Sequence, residues 1–109
     1  MIQHKELAGG RWRELSLVDQ MANIGSEVER SLKWREKENH PYFEKAFHRA
    51  LELIDLTIDD PKNGLRLKEI VRMREVLVDY FYGENEYGSS PSSWRSYFLR
   101  FNYAARKDR

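Results

Sequence analysis

Leu17-Val18-Asp19-Gln20-Met21-Ala22-Asn23-Ile24-Gly25-Ser26-Glu27-Val28-Glu29-Arg30-Ser31-Leu32 decides the fold class, because its apolar residues recur at Leu17, Met21, Ile24, Val28 and Leu32. Steps of three and four keep those side chains on one face of an α-helix, whereas a half-buried strand would need alternation with a period of two. Ser16, just ahead of the stretch, suits the cap of the first turn, and Asp19 places a carboxylate at the positive end of the helix dipole. The pattern dissolves in the charged run Lys33 to Glu38 and stops at Asn39-His40-Pro41.

The same signals recur downstream. Pro41 fits the first turn of a second helix, capped by Asn39 or His40, with an apolar arc of Phe43, Phe47, Ala50, Ile54 and Thr57. Asp59-Asp60-Pro61 ends it, and Asp60 or Asn63 is placed to cap a third helix with Leu67, Ile70, Leu77, Val78 and Phe81 at core spacing. Gly83 is expected in the left-handed position at that helix's end. After a polar loop, Ser90-Pro91 opens a fourth helix carrying Trp94, Phe98, Phe101 and Ala105. The reading is all-α: an antiparallel up-and-down four-helix bundle with helices over 16–38, 41–59, 63–82 and 91–106. Residues 1–15 form an N-terminal arm whose Trp12 docks on the body, and residues 16–109 form one domain.

Composition narrows the function classes. The 109 residues hold 19 Lys plus Arg against 18 Asp plus Glu, and no cysteine. That excludes a disulfide scaffold, a thiolate metal site and a cysteine nucleophile. No apolar run approaches the roughly 18 residues of a membrane span, so a cytoplasmic protein without a membrane partner is the expectation. His48, one turn from both Glu44 and Glu52, reads as surface charge pairing rather than a metal site, and no cofactor is expected. Arg74, inside the third helix's apolar stripe, needs a carboxylate or carbonyl partner if it is buried, for which Glu27 is the candidate; an exposed position through slight helix rotation is the alternative.

The near-neutral total hides segregation. Residues 62–75 carry five basic against two acidic side chains, and residues 94–109 carry five against one. Lys62, Arg66, Lys68 and Arg72 on the third helix, with Arg95, Arg100 and Arg106 on the fourth, make a candidate nucleic-acid-binding stripe interleaved with Trp94, Tyr97 and Tyr103. The bland alternative is a solvated helix surface whose aromatics belong to the core. Trp34, Tyr42, Tyr80, Tyr82 and Tyr103 remain after the four stripes are assigned, which points to a homo-oligomer.

Two resemblances bear on this. Arg35 and His40, separated by four residues, are similar to the Arg-x4-6-His motif of HEPN domains, small all-helical proteins many of which are metal-independent ribonucleases. The resemblance implies an Arg35 and His40 pair acting on a ribose hydroxyl and its phosphate; helix-end capping by His40 is the plainer reading. The run Gln20 to Arg30, followed by Phe43, Phe47, Ala50 and Leu53, resembles the four-helix-bundle proteins encoded in ribosomal-RNA intervening sequences, over residues 16–58. That family includes an accessory protein of reverse-transcribing diversity elements, a ring-shaped homo-oligomer with a basic nucleic-acid-binding surface. The resemblance implies the bundle fold and self-assembly. The expected function is therefore a non-catalytic interaction or adaptor protein that binds RNA or DNA weakly through an oligomeric basic surface. A bundle that binds only a protein partner and a HEPN-like ribonuclease are the alternatives.

Overall fold

Ser16 caps the helix that the quoted stretch predicts: its Oγ accepts the Asp19 amide at 3.1 Å. In the computed structural model, which describes residues 10–107, that helix is α2 (Leu17–Glu36). It follows a single turn, α1 (Trp12–Glu14), and precedes α3 (His40–Ile58), a 3-10 helix (Pro61–Arg66), α4 (Leu67–Tyr82) and α5 (Pro91–Lys107). The fold is all-α, with no strand among the described residues. No described helix is long and apolar enough to cross a membrane.

Local chemistry sets most of the boundaries. Asn39 caps α3 by accepting the Tyr42 amide at 3.2 Å, with Pro41 in the first turn. Ser90 and Ser93 cap α5 reciprocally, each hydroxyl accepting the other's backbone amide, at 3.1 and 2.9 Å. At the end of α2 the Asn39 and Glu38 amides reach back to the Trp34 and Arg35 carbonyls at 2.9 and 3.0 Å. This is a Schellman turn, and its left-handed residue is Glu38, at φ 57°. A side chain is disfavoured there relative to glycine.

Two boundaries differ from the sequence expectation. The third long helix was expected from residue 63, but α4 begins at Leu67, because Asp60, Pro61 and Asn63 wind the chain into the tighter 3-10 turn first. Leu67 consequently lies exposed rather than in the core. Gly83 adopts an extended conformation (φ −96°), not the left-handed one. Glycine is needed there for space: a Cβ would lie 2.8 Å from the Asp79 carbonyl oxygen.

The core gathers Ile24, Val28, Phe47, Ile54, Ile70, Leu77, Phe81, Phe98 and Phe101, as the spacing predicts, together with Trp12, Met21, Met73 and Trp94; Leu17 packs at its edge. α2 packs against both α3 and α5, and α4 packs on α3. Phe43 and Phe47 of α3 meet Phe81 of α4 at centroid distances of 5.3 and 5.0 Å. Between α2 and α5 the approach is closer: a Cβ on Gly25 would lie 2.9 Å from the Phe98 Cβ. Glycine lets the two backbones meet with Phe98 filling the space between them.

At one end of the molecule the core is polar. Gln20 is fully buried and donates to the Trp12 carbonyl at 3.0 Å and to the Asp60 carboxylate at 2.9 Å, while its own carbonyl accepts from Asn63 at 2.9 Å. Asn63 also donates to the Thr57 carbonyl at 3.0 Å, and the Thr57 hydroxyl accepts the Trp12 indole N–H at 3.0 Å. Lys62 closes the cluster, joining the Asp60 carboxylate to the Arg13 carbonyl. Burial pushes the Asp60 carboxyl up, but the hydrogen bonds from Lys62 and Gln20 outweigh it and hold the group below the usual carboxylate range. The Glu27–Arg74 pair does not form. Glu27 holds Arg30 at 2.8 Å, one turn along the same helix, and Arg74 reaches outward to Asp55 at 2.8 Å.

Four outcomes test this structure. Gly25→Ala lowers stability by about 1–3 kcal/mol through overpacking against Phe98, whereas Glu38→Gly raises it by about 0.5–1 kcal/mol by relieving the left-handed backbone; urea denaturation measures both. Gln20→Ala strands buried partners and costs about 1–3 kcal/mol. Because the Asp60 pKa is lowered on folding, its contribution is complete above the ordinary carboxylate value, near 3.8, and is lost as pH falls through the folded value. In acid melts, Asp60→Asn removes that part of the pH dependence.

Candidate nucleic-acid interface

The seven cations of the expected stripe do not form one surface. Lys62 is committed to the polar cluster through Asp60. Arg66 grips Glu69 with both contacts at 3.0 Å or less, Lys68 is exposed, and Arg72 lies over the Tyr87 ring at 5.2 Å.

On α5 the cations divide between two sides. Arg95 faces α2, where its guanidinium donates to both oxygens of Glu29, at 2.9 to 3.1 Å, and to Glu36 at 3.1 Å. The Glu29 hydrogen bonds, with Glu36 behind them, push its pKa further above the usual arginine value. Arg100 turns toward α4, lying over the rings of Tyr97 and Phe101 at 4.9 and 4.7 Å, with Glu69 at 4.0 Å. Burial, and next the Glu69 charge, push the Tyr97 hydroxyl above its ordinary pKa, while Arg100 acts against both. Arg106 is exposed near the end of α5 and lines a shallow cleft with Asp19 and Asn102. Most of the stripe thus already holds carboxylates or rings, so a phosphate would have to compete for it.

Two clefts flank α5. One, of about 610 Å³, runs between α2 and α5 past Gly25, Glu29 and Arg95. The other, of about 290 Å³, lies between α4 and α5 and is mostly apolar, lined by Met73, Val76, Trp94 and Tyr97. The buried Trp94 indole N–H has no hydrogen-bond partner.

Arg35 and His40 line one cleft of about 430 Å³, with Asn39, Phe43 and Tyr82. The Arg35 guanidinium sits over the Tyr80 ring at 5.0 Å, and His40 Nε2 lies 3.5 Å from Glu44. Glu44 is shared: it also accepts from the Tyr82 hydroxyl and lies 3.5 Å from His48. Burial, then the hydrogen bond to Glu44 and its charge, push Tyr82 up to about 12. Among the described residues no group of three or more His, Asp or Glu is placed to hold a metal.

Trp34 and Tyr42, expected as leftover aromatics, meet edge to face at 4.9 Å between α2 and α3, with Arg30, Lys45 and Arg49 around them. Sequence reasoning missed this cluster because its members are divided between two helices whose facing registers are set only by packing. No family model, curated protein or solved structure matches the chain.

The Arg95 contacts predict a measurable coupling. In a double-mutant cycle of Arg95→Met with Glu29→Gln, thermal melts give an interaction of about 0.5–1 kcal/mol, the range for a well-formed exposed pair, that shrinks at high salt.

Proposed function

We propose that the chain is a non-catalytic interaction module: an antiparallel four-helix bundle that associates with copies of itself and binds nucleic acid weakly, as an adaptor. The bundle arrangement is supported by the packing of α2 against both α3 and α5 and of α4 on α3, with Trp34 of α2 meeting Tyr42 of α3 near one end. The observation that carries the interaction reading is the outer surface of the 3-10 helix, α4 and α5. Leu65, Leu99 and Tyr103 are 102%, 65% and 67% exposed, and they alternate along the chain with Arg66, Lys68, Arg100 and Arg106. Exposed apolar side chains favour self-association, and repetition of the cations in an oligomer multiplies the phosphates engaged. The likeness of residues 16–58 to the intervening-sequence proteins also favours assembly.

The carboxylates already held by Arg66 and Arg95 make the binding weak, and the number of phosphates engaged sets its dependence on salt. With about three phosphates engaged per chain, affinity falls about 40-fold between 50 and 200 mM salt. The test is a titration with RNA, single-stranded DNA and duplex DNA at both salt concentrations, repeated for Lys68→Glu combined with Arg72→Glu, with light scattering on the same samples. Salt-sensitive binding that the double reversal weakens supports the reading. A monomer that binds none of the three at low salt sinks it and leaves a module for a protein partner.

The shared cleft of Arg35 and His40 favours a second reading, a metal-independent ribonuclease. An imidazole can take the proton of a ribose hydroxyl and a guanidinium can hold the phosphate charge. RNA left intact by the wild-type protein in the presence of a chelator removes this reading, and cleavage abolished by His40→Ala in a protein that still folds supports it.

A further inference from the structure

We propose that the groove between α2 and α3, lined by Arg30, Trp34, Tyr42, Lys45 and Arg49, seats a base of single-stranded nucleic acid, with the neighbouring phosphates on its lysines. The proposal rests on the nucleic-acid reading above and gives that binding a location and a preferred strand form.

The aromatic part is built for stacking. Trp34 is half-buried against the core and so held in place, and Tyr42 stands against it at an interplanar angle of 80° while remaining 51% exposed. Lys33 and Lys37 on α2 place their ammonium groups 5.4 and 5.5 Å from the centre of the Trp34 ring. These ammonium groups hold the ring until a base arrives; on long, exposed side chains they can give up the ring face to the base and carry its phosphates. The groove's volume, about 330 Å³, falls within the usual range for small-ligand sites.

The electrostatic part depends on how the fold distributes its acids. α2 and α3 are rich in carboxylates, but Glu29 and Glu36 are turned to Arg95 on α5, Glu44 to Tyr82, His40 and His48, and Asp55 to Arg74. Beside the groove Arg30 is joined to Glu27, and Arg49 and Glu52 are already engaged, which leaves the charge of Lys33, Lys37 and Lys45. The excess is positive in a protein whose formal charge is only +1. A single strand is favoured over a duplex because stacking on a side chain requires a base free of its own stack.

Trp12 and Trp94 are buried but Trp94 borders the clefts beside α5, so the quenching assigned to Trp34 is the part that Trp34→Leu abolishes. The probe is a short oligothymidylate at low salt, compared with duplex DNA of the same length. The expected result is quenching, tighter binding of the single strand, and a loss of about 5- to 150-fold in Trp34→Leu, the range for deleting one stacking aromatic. Lys37→Glu combined with Lys45→Glu weakens the single strand by at least about tenfold, with circular dichroism confirming that each variant folds. Binding that leaves the fluorescence and the affinity of these variants unchanged overturns the groove while sparing the nucleic-acid reading. Absence of binding by the wild-type protein at low salt overturns both. Quenching by polyglutamate as strong as by the oligonucleotide reassigns the groove to an acidic polypeptide and overturns the proposal.

Discussion

The side-chain amide of Gln20 is the point on which the N-terminal half of the structure depends. A buried primary amide carries two donor hydrogens and a carbonyl, and each must find a partner or cost roughly what folding gains elsewhere. Here the partners come from Trp12, Asp60 and Asn63, three positions separated by up to 51 residues of chain. Satisfying them fixes where the chain enters α2 and where it leaves α3. It also explains the 3-10 turn, because Asn63 must swing inward to reach both Gln20 and the Thr57 carbonyl. An apolar residue at position 20 could fill the space but would not dictate this one arrangement.

Away from that end, the fold rests on close packing. Gly25 and Phe98 bring α2 and α5 together, while Phe43 and Phe47 of α3 join α4 through tilted contacts with Phe81. α2, in contact with two long neighbours, is the organising helix, and this is why its surface residues are the ones most sorted by the fold. Its carboxylates at Glu29 and Glu36 face α5, and its lysines at 33 and 37 gather at Trp34 on the side of α3.

That sorting changes what composition can say about function. A chain with almost equal numbers of acids and bases has no overall field to attract a polyanion. Local fields survive when folding pairs the acids preferentially with cations on other sides. The cations of the 3-10 helix, α4 and α5 outnumber the acids near them in sequence, yet Asp60, Glu69 and the pair Glu29 and Glu36 take up three of them, Lys62, Arg66 and Arg95. The cluster around Trp34 is the reverse: unremarked in sequence, it is assembled by the meeting of α2 and α3.

By itself the sequence determined the helices and the faces they bury, since caps at Ser16, Asn39 and Ser90 and the three-four spacing from Met21 to Phe101 are local signals, readable within one turn. That Arg35 and His40 lie near one another was legible for the same reason, the two being only five residues apart across one helix end. Only the tertiary structure decided that Arg74 answers Asp55 and not Glu27, that Gly83 is needed for space and not for a left-handed turn, and that the cations divide among several faces. Periodicity specifies which face of a helix turns inward. It carries no information about the axial register and rotation between helices, and charge pairs across a seam are fixed by those two quantities.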